Sequence, residues 1–309
     1  MPSGSRFGKR VAVDGRPAGG YDAFMRRLVD LHTHSTASDG TASPEVVVAL
    51  ADKRRLAAVA LTDHDTTDGL PAAAAAAARF DELTFIPGVE LSAVSQGTSY
   101  HILGLHINAD APALGAIIRR LRDARRRRND ETIAVLRTLG IDLAPDDLPS
   151  DGRAVGRPHL ARALVRRGVA RDEADAFDRY LLPGPAYVKR DRPQPGETID
   201  AIHAAGGVAV LAHPIHLGYA NAAQCERIVR SLIGRGLDGL EAYHSDQTPA
   251  QTRLLIDLAR RLKLVVTGGS DFHGPAYGGL TLGRPRVPKT VLEPLGQRAR
   301  IVRTRATAH

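Results

Sequence analysis

The chain has 309 residues, 43% of them hydrophobic, enough to bury one large core or a core with an inserted unit, so disorder is not the expected state. Lys and Arg outnumber Asp and Glu by 42 to 34, and the formal charge of +8 biases the exterior toward phosphate-bearing partners without defining a site. The lone Cys225 excludes an intramolecular disulfide, and no apolar run reaches the roughly 18 residues of a membrane helix, so the expected compartment is the reducing cytoplasm.

Residues 1–26 are rich in Gly, Pro and Arg without a continuous apolar segment, the composition of a poorly ordered extension and not of a secretory signal peptide. Met25 stands directly before RRLVDLHTH and is a second candidate start beside Met1. Beyond it, short apolar runs alternate with helical segments, the pattern of an α/β chain whose strands are joined by crossover helices into a mostly parallel sheet or barrel. The strand candidates are RLVDLH, AAVALTDHD, LTFIPGVEL, YHILGLHI, VAVLAHP, LDGLEAYH and LVVTGGSDFH. Between the first two lies a helix with Ser43 as N-cap and Pro44 at its first position, and the alanine run from Ala72 to Ala78 reads as a helix packed closely on the sheet.

Residues 111–192 break the alternation and read as an inserted helical subdomain. The barrel is expected over 27–110 and 193–290, with 291–309 as a C-terminal tail.

Nearly every strand candidate ends in a histidine or a carboxylate, and in a parallel barrel the carboxyl ends of the strands share one face. That face would collect His32, His34 and Asp39 after the first strand, Asp63, His64 and Asp65 after the second, and Glu90 after the third. His101, His213, His244, Asp271 and His273 follow on later strands. In an extended segment His-x-His places both imidazoles on one side of the backbone, so His32 and His34 can reach one ion, and Asp271-x-His273 forms a similar clip. Imidazole and carboxylate suit zinc, manganese or iron, and the residues alone leave the choice open. One such clip is a weak signal, whereas the joint arrangement is a strong one.

HTHSTASDG, LTDHDT, PGVELS, YHILGL, AHP and GSDFH, in that order over about Leu28 to Gly283, resemble the motifs of the PHP family, named for polymerase and histidinol phosphatase. The resemblance implies a distorted (β/α)7 barrel with a centre of three divalent ions, expected to be manganese with iron or zinc as alternatives. By motif, His32, His34, Glu90 and Asp271 would hold the first ion, and Asp39, His64 and His273 the second. Glu90 would bridge to a third, completed by His101 and His213. The insertion, with VGRPHLARALV and YLLPGPAYVKR, most resembles the branch acting on 3′,5′-nucleoside bisphosphates and on short oligoribonucleotides from the 5′ end.

The expected chemistry is phosphate ester hydrolysis by a water activated between metal ions, so the nucleophile is neither Ser nor Cys. Arg157 and Lys189 are nominated to neutralise the phosphoryl oxygens, and His216 to bind phosphate or protonate the leaving oxygen. Asp63 and Asp65 would orient ligand imidazoles, and Arg125 to Arg128 read as a mostly solvated helical face with RNA guidance as the alternative. His106, His159, His203, His244 and His309 carry no motif and read as structural or exposed. Partners would be a small phosphorylated nucleotide or short RNA, with no membrane and no obligate protein partner. Two other readings compete: a phosphatase for a small metabolite such as histidinol phosphate, and a nucleic-acid-binding module whose metals are structural. Few aromatic residues, 4% of the chain, weaken the second.

Overall fold

The computed structural model describes residues 28–149, 154–275 and 281–306. The expected 1–26 extension, Met25 and His309 lie outside them.

Seven strands follow the seven apolar runs: β1 (Leu28–Asp30), β2 (Ala58–Leu61), β3 (Thr84–Ser95), β4 (Thr98–Leu105), β5 (Val208–Leu211), β6 (Gly239–Tyr243) and β7 (Val265–Gly268). They lie side by side in the order β7-β6-β5-β4-β3-β2-β1. The ends meet where Leu31 N donates to Gly268 O at 3.1 Å and Thr33 forms a parallel bridge to Phe272, so the sheet curls into a nearly closed barrel. A short strand unforeseen in the sequence, β8 (Val287–Pro288), pairs antiparallel with β1.

The barrel is distorted because β3 and β4 form an antiparallel hairpin, with Ser95 opposite Thr98. Its two-residue loop is Gln96-Gly97, both at positive φ (49° and 81°), the geometry of a tight turn matched to strand twist. No crossover helix fits there, and β4 runs back toward β3's start. Helices follow most other strands: α1 (Pro44–Lys53), capped by the Ser43 side chain with Pro44 at the first position, and α2 (Leu70–Ala77), which buries Ala73, Ala76 and Ala77.

Alternation along the strands sorts side chains into two layers. Val208 and Val210 face the barrel interior with Val29, Leu31, Ala60, Ile86, Leu103 and Leu105, while Ala209 and Leu211 face the surrounding helices.

α3 (Pro112–Thr138) is 27 residues long and contributes to two core clusters. Its first half places Leu114, Ile118 and Leu121 in the barrel's outer layer, and its far end places Leu136 in a separate small core. That core is shared with α4 (Arg157–Arg166), through Leu160 and Leu164, with α5 (Glu173–Ala176), through Ala176, and with a π-helical turn over Phe177–Leu181. α6 (Pro195–Ala204), α7 (Ala222–Ile233) and α8 (Pro249–Arg261) return to the barrel layer. The expected C-terminal tail is instead largely α9 (Leu292–Ala306), whose Leu295 and Ala299 join the interior cluster. The sequence reading missed it because α9 has apolar side chains only at spaced positions among arginines.

Candidate metal centre and phosphate pocket

Glu90 is the centre of the assembly. Fully buried on β3, it turns Oε2 toward His64 Nδ1 (2.8 Å), His32 Nε2 (3.3 Å) and His34 Nε2 (3.3 Å), and Oε1 toward His101 Nδ1 (2.7 Å) and His213 Nε2 (2.9 Å). Asp271 Oδ1 lies 3.3 Å from His32 Nε2 and 3.0 Å from His34 Nε2. Asp39 lies 3.3 Å from His273 and 3.9 Å from His64. All nine residues named for metal in the sequence are therefore brought together.

Local chain geometry explains the convergence. His32 and His34 flank Thr33, whose hydroxyl turns the other way to donate to Ala60 O at 2.6 Å. His101 arrives by a route the parallel-barrel argument did not foresee: β4 is antiparallel, so its early residues lie at the mouth, with His101 opposite Ser92. His213 and Asp271 hold positive φ (25° and 54°), the strained backbone that surrounding structure must enforce at a functional site.

Divalent metal fits this donor set. His32 Nε2, His34 Nε2, His64 Nδ1, Glu90 Oε2 and Asp271 Oδ1 are buried with no hydrogen bond, although they crowd to ion-pair distance. Buried polar atoms left this way are costly unless a cation takes their lone pairs. Burial alone would lower the His34 pKa, yet contacts with Asp271 and Glu90 drive it up to about 10. A divalent ion would supply the positive charge that these carboxylates favour. Three overlapping groups have donor atoms within 4.8 Å of one another: His32, His34, Glu90 and Asp271; His34, Asp39, His64 and His273; and His64, Glu90 and His101.

Supporting residues differ from the expectation. Asp63 accepts from Ser35 N (2.7 Å), Ser35 Oγ (2.7 Å) and Ser38 Oγ (2.5 Å), so it shapes the loop after β1 and does not orient an imidazole. Asp65 likewise turns from the imidazoles to Arg125 (2.6 Å) and Arg190 (3.0 Å), and the Arg125 guanidinium holds its carboxyl well below the usual range against the cost of burial. Imidazole orientation falls to Glu241, which the sequence reading passed over: Oε1 lies 3.0 Å from His32 Nδ1, and Oε2 accepts from His213 N at 2.6 Å. A carboxylate within the strand itself, between Leu240 and Ala242 of the LDGLEAYH run, was the available signal. His244 is neither exposed nor remote. It is buried, its Nδ1 accepts from Asp246 N at 3.2 Å, and its Nε2 faces Asp271 Oδ2 at 3.5 Å. His159 and His203 do have structural partners, Gly156 N and Asp238.

Beside the metal cluster opens a cavity of about 230 Å³ lined by Arg125, Arg128, Arg157, Arg190 and Arg192 together with Asp39, His64, Ser92, His101 and Phe177. The expectation of a solvated Arg125–Arg128 face is corrected here, because Arg125 and Arg128 are buried at the cavity while Arg126 and Arg127 are exposed. Burial and the neighbouring guanidiniums lower the pKa of Arg128 and Arg190, a crowding that an anion would relieve. Arg157 lines the cavity with its guanidinium over the Tyr187 ring at 4.8 Å, while Lys189 is exposed and outside the lining, where Arg190 stands instead. His216 sits next to His213, ring centroids 4.7 Å apart, with Nε2 2.8 Å from Asp246 Oδ2.

Comparison with known proteins agrees with this geometry. The PHP domain model matches residues 30–117. A 5′-3′ exoribonuclease Rnm of Salmonella typhimurium is 37% identical over 252 residues, 80% of this chain and 86% of the relative. A 3′,5′-nucleoside bisphosphate phosphatase of Chromobacterium violaceum is 35% identical over 281 residues, 89% of this chain and 98% of the relative. A solved structure from Bifidobacterium adolescentis, described as a candidate metal-dependent phosphoesterase, superposes with a TM-score of 0.78 at 32% identity, covering 87% of this chain and 96% of that one. Membership of an enzyme family sets aside the reading as a binding module with structural metals. Among the described residues no helix is long and apolar enough to cross a membrane. With its motifs in order, its barrel nearly closed and its donor residues converged on Glu90, the chain belongs to the PHP family of metal-dependent phosphoesterases.

Proposed function

We propose that the chain removes a phosphate from 3′,5′-nucleoside bisphosphates and acts on the 5′ ends of short oligoribonucleotides, in the cytoplasm. The observation that carries this reading is the five-arginine cavity directly beside the metal cluster. A substrate with one phosphoryl group needs no second anion pocket, whereas a bisphosphate or a nucleotide chain presents one group for hydrolysis and another for recognition. The names of the Salmonella and Chromobacterium relatives support the same substrate class.

In this proposal His32, His34, Glu90 and Asp271 would hold one ion, Asp39, His64 and His273 a second, and Glu90, His101 and His213 a third. Manganese is the proposed metal, following the family resemblance; nitrogen and oxygen donors without thiolate accept it as they accept iron or zinc. Bound divalent ions supply an activated water and neutralise charge on the scissile phosphoryl group. The chain's own groups do the rest. Arg157 and Arg190 draw the second phosphate into the cavity by charge-assisted hydrogen bonds, and Phe177 gives it an apolar wall. Glu241 fixes His32 so that Nε2 faces the cluster. His216, held by Asp246, protonates the leaving oxygen in this proposal. Lys189, exposed outside the cavity, has no part in the proposal.

The test is substrate profiling after manganese reconstitution with 3′-phosphoadenosine 5′-phosphate, histidinol phosphate and a short 5′-phosphorylated RNA. The bisphosphate is expected to give the highest kcat/KM. A preference for histidinol phosphate would overturn the reading.

A further inference from the structure

Asp65 receives no role in the proposed reaction, yet its carboxylate is fully buried and heavily used. Oδ1 accepts Ser92 N at 2.8 Å. Oδ2 accepts Ser92 Oγ (3.1 Å), Arg125 Nε (2.7 Å) and Arg190 Nη1 (3.0 Å), and lies 2.6 Å from Arg125 Nη2. Its backbone is equally fixed: φ is +53°, and its N–H donates to Glu90 O at 2.9 Å. The residue before it is His64, and the carbonyl it binds belongs to Glu90. Asp65 is therefore tied to the metal cluster by its main chain and to the arginines by its side chain.

Those two arginines enter from opposite ends of the helical insertion. Arg125 comes from α3 as it leaves the barrel layer, and Arg190 from the segment that returns before α6. Five guanidiniums around one cavity repel one another, and Arg128, Arg157 and Arg192 bond to Asn129, to the Val188 carbonyl and to Ser99, none of them charged. Among the described residues, the ion pairs that restrain this group run through Asp65.

We infer that Asp65 is a positioning residue that sets Arg125 and Arg190 at a fixed distance from the metal cluster, so that it governs affinity for the second, non-reacting phosphate of the substrate. The inference rests on the bisphosphate reading above. One carboxylate spanning both arginines makes the spacing between scissile group and anchor a property of the 63–65 turn, not of the insertion's surface. Asp65→Asn keeps the size of the side chain and its acceptor for Ser92 N–H while removing the charge.

The experiment uses full-length protein with Asp65→Asn, Asp65→Glu, Arg190→Ala and the Asp65→Asn/Arg190→Ala double variant. KM for 3′-phosphoadenosine 5′-phosphate is expected to rise about 10- to 100-fold in Asp65→Asn, with kcat falling far less and Asp65→Glu recovering part of the loss. Adding Arg190→Ala is expected to cost less than the sum of the two single changes, since both act through one contact. Calorimetric titration of inorganic phosphate into metal-stripped protein is expected to weaken in the same order, a readout independent of turnover. A fall in kcat with KM retained, loss of bound metal, or full additivity would overturn the role. If wild type shows no KM preference for a bisphosphate over a simple aryl phosphate, the substrate reading fails by itself, and the phosphate titration still judges Asp65.

Discussion

The Glu241 carboxylate lies 3.0 Å from His32 Nδ1, and both side chains are fully excluded from solvent. With Nδ1–H donating to Glu241, His32 Nε2 is left on the side of Glu90 and Asp271, where it would ligate a cation shared with those carboxylates. Glu241→Gln can still meet Nδ1 through its amide oxygen but cannot add negative charge to the imidazole. Metal affinity, measured by competition with a chromophoric chelator, is expected to drop by about 10- to 100-fold, with the circular dichroism spectrum retained.

Arg157 and Lys189 stood as equals in the sequence and are separated by the fold. Arg157→Ala removes a cavity guanidinium and is expected to lower kcat/KM for the bisphosphate by about 10- to 150-fold with metal content intact. Lys189→Ala, at an exposed side chain, is expected to stay within about twofold of wild type in the same assay.

Glu90 Oε2 and Asp271 Oδ1 are buried without a hydrogen bond and would lose a cation's compensation when metal is removed. One ion at a thousandfold excess over its Kd contributes about 4 kcal/mol, so chelation is expected to lower Tm by roughly 10 °C in scanning calorimetry. Restoring manganese should reverse it.

Leu160 is fully buried in the small core that holds α4 and the Phe177–Leu181 turn together. Leu160→Ala is expected to cost about 2–5 kcal/mol in denaturant unfolding. Because Arg157 sits at the start of the same helix, KM should rise under native conditions while bound metal is retained.

Burial pushes the Cys225 thiol up to about 11, above its ordinary value, with the side chain of Tyr219 opposing the shift. The sign is plain: near pH 7 the group is protonated, and reactivity appears only as pH climbs toward that value or the fold opens. Native protein is expected to resist iodoacetamide at pH 7.5 for hours, and denatured protein to react within minutes, by intact mass.

The barrel strands were legible because they depend on local pattern, apolar runs of strand length ending in histidine or carboxylate, while the choice of nine ligand candidates among those residues came from the resemblance to the PHP motifs. The route of His101 was not legible, since it depends on Gln96-Gly97 turning the chain straight back, a two-residue hairpin signal between runs that were expected to be joined in parallel. Arg125 and Arg128 read as a solvated face because consecutive helical positions point around the axis. Only the docking of the insertion decides which of those directions is buried. Glu241 and the arginine partners of Asp65 were hidden for the same reason, as those contacts join distant segments.

The measurement that bears most directly on the central claim is manganese-dependent phosphate release from 3′-phosphoadenosine 5′-phosphate by metal-stripped wild type and Glu90→Gln, with bound metal counted in parallel. Convergence on Glu90 predicts no turnover in the stripped protein, recovery as manganese is added, and a Glu90→Gln variant that binds fewer ions and stays at least about a thousandfold slower. Equal turnover by stripped protein, or by Glu90→Gln, would contradict it.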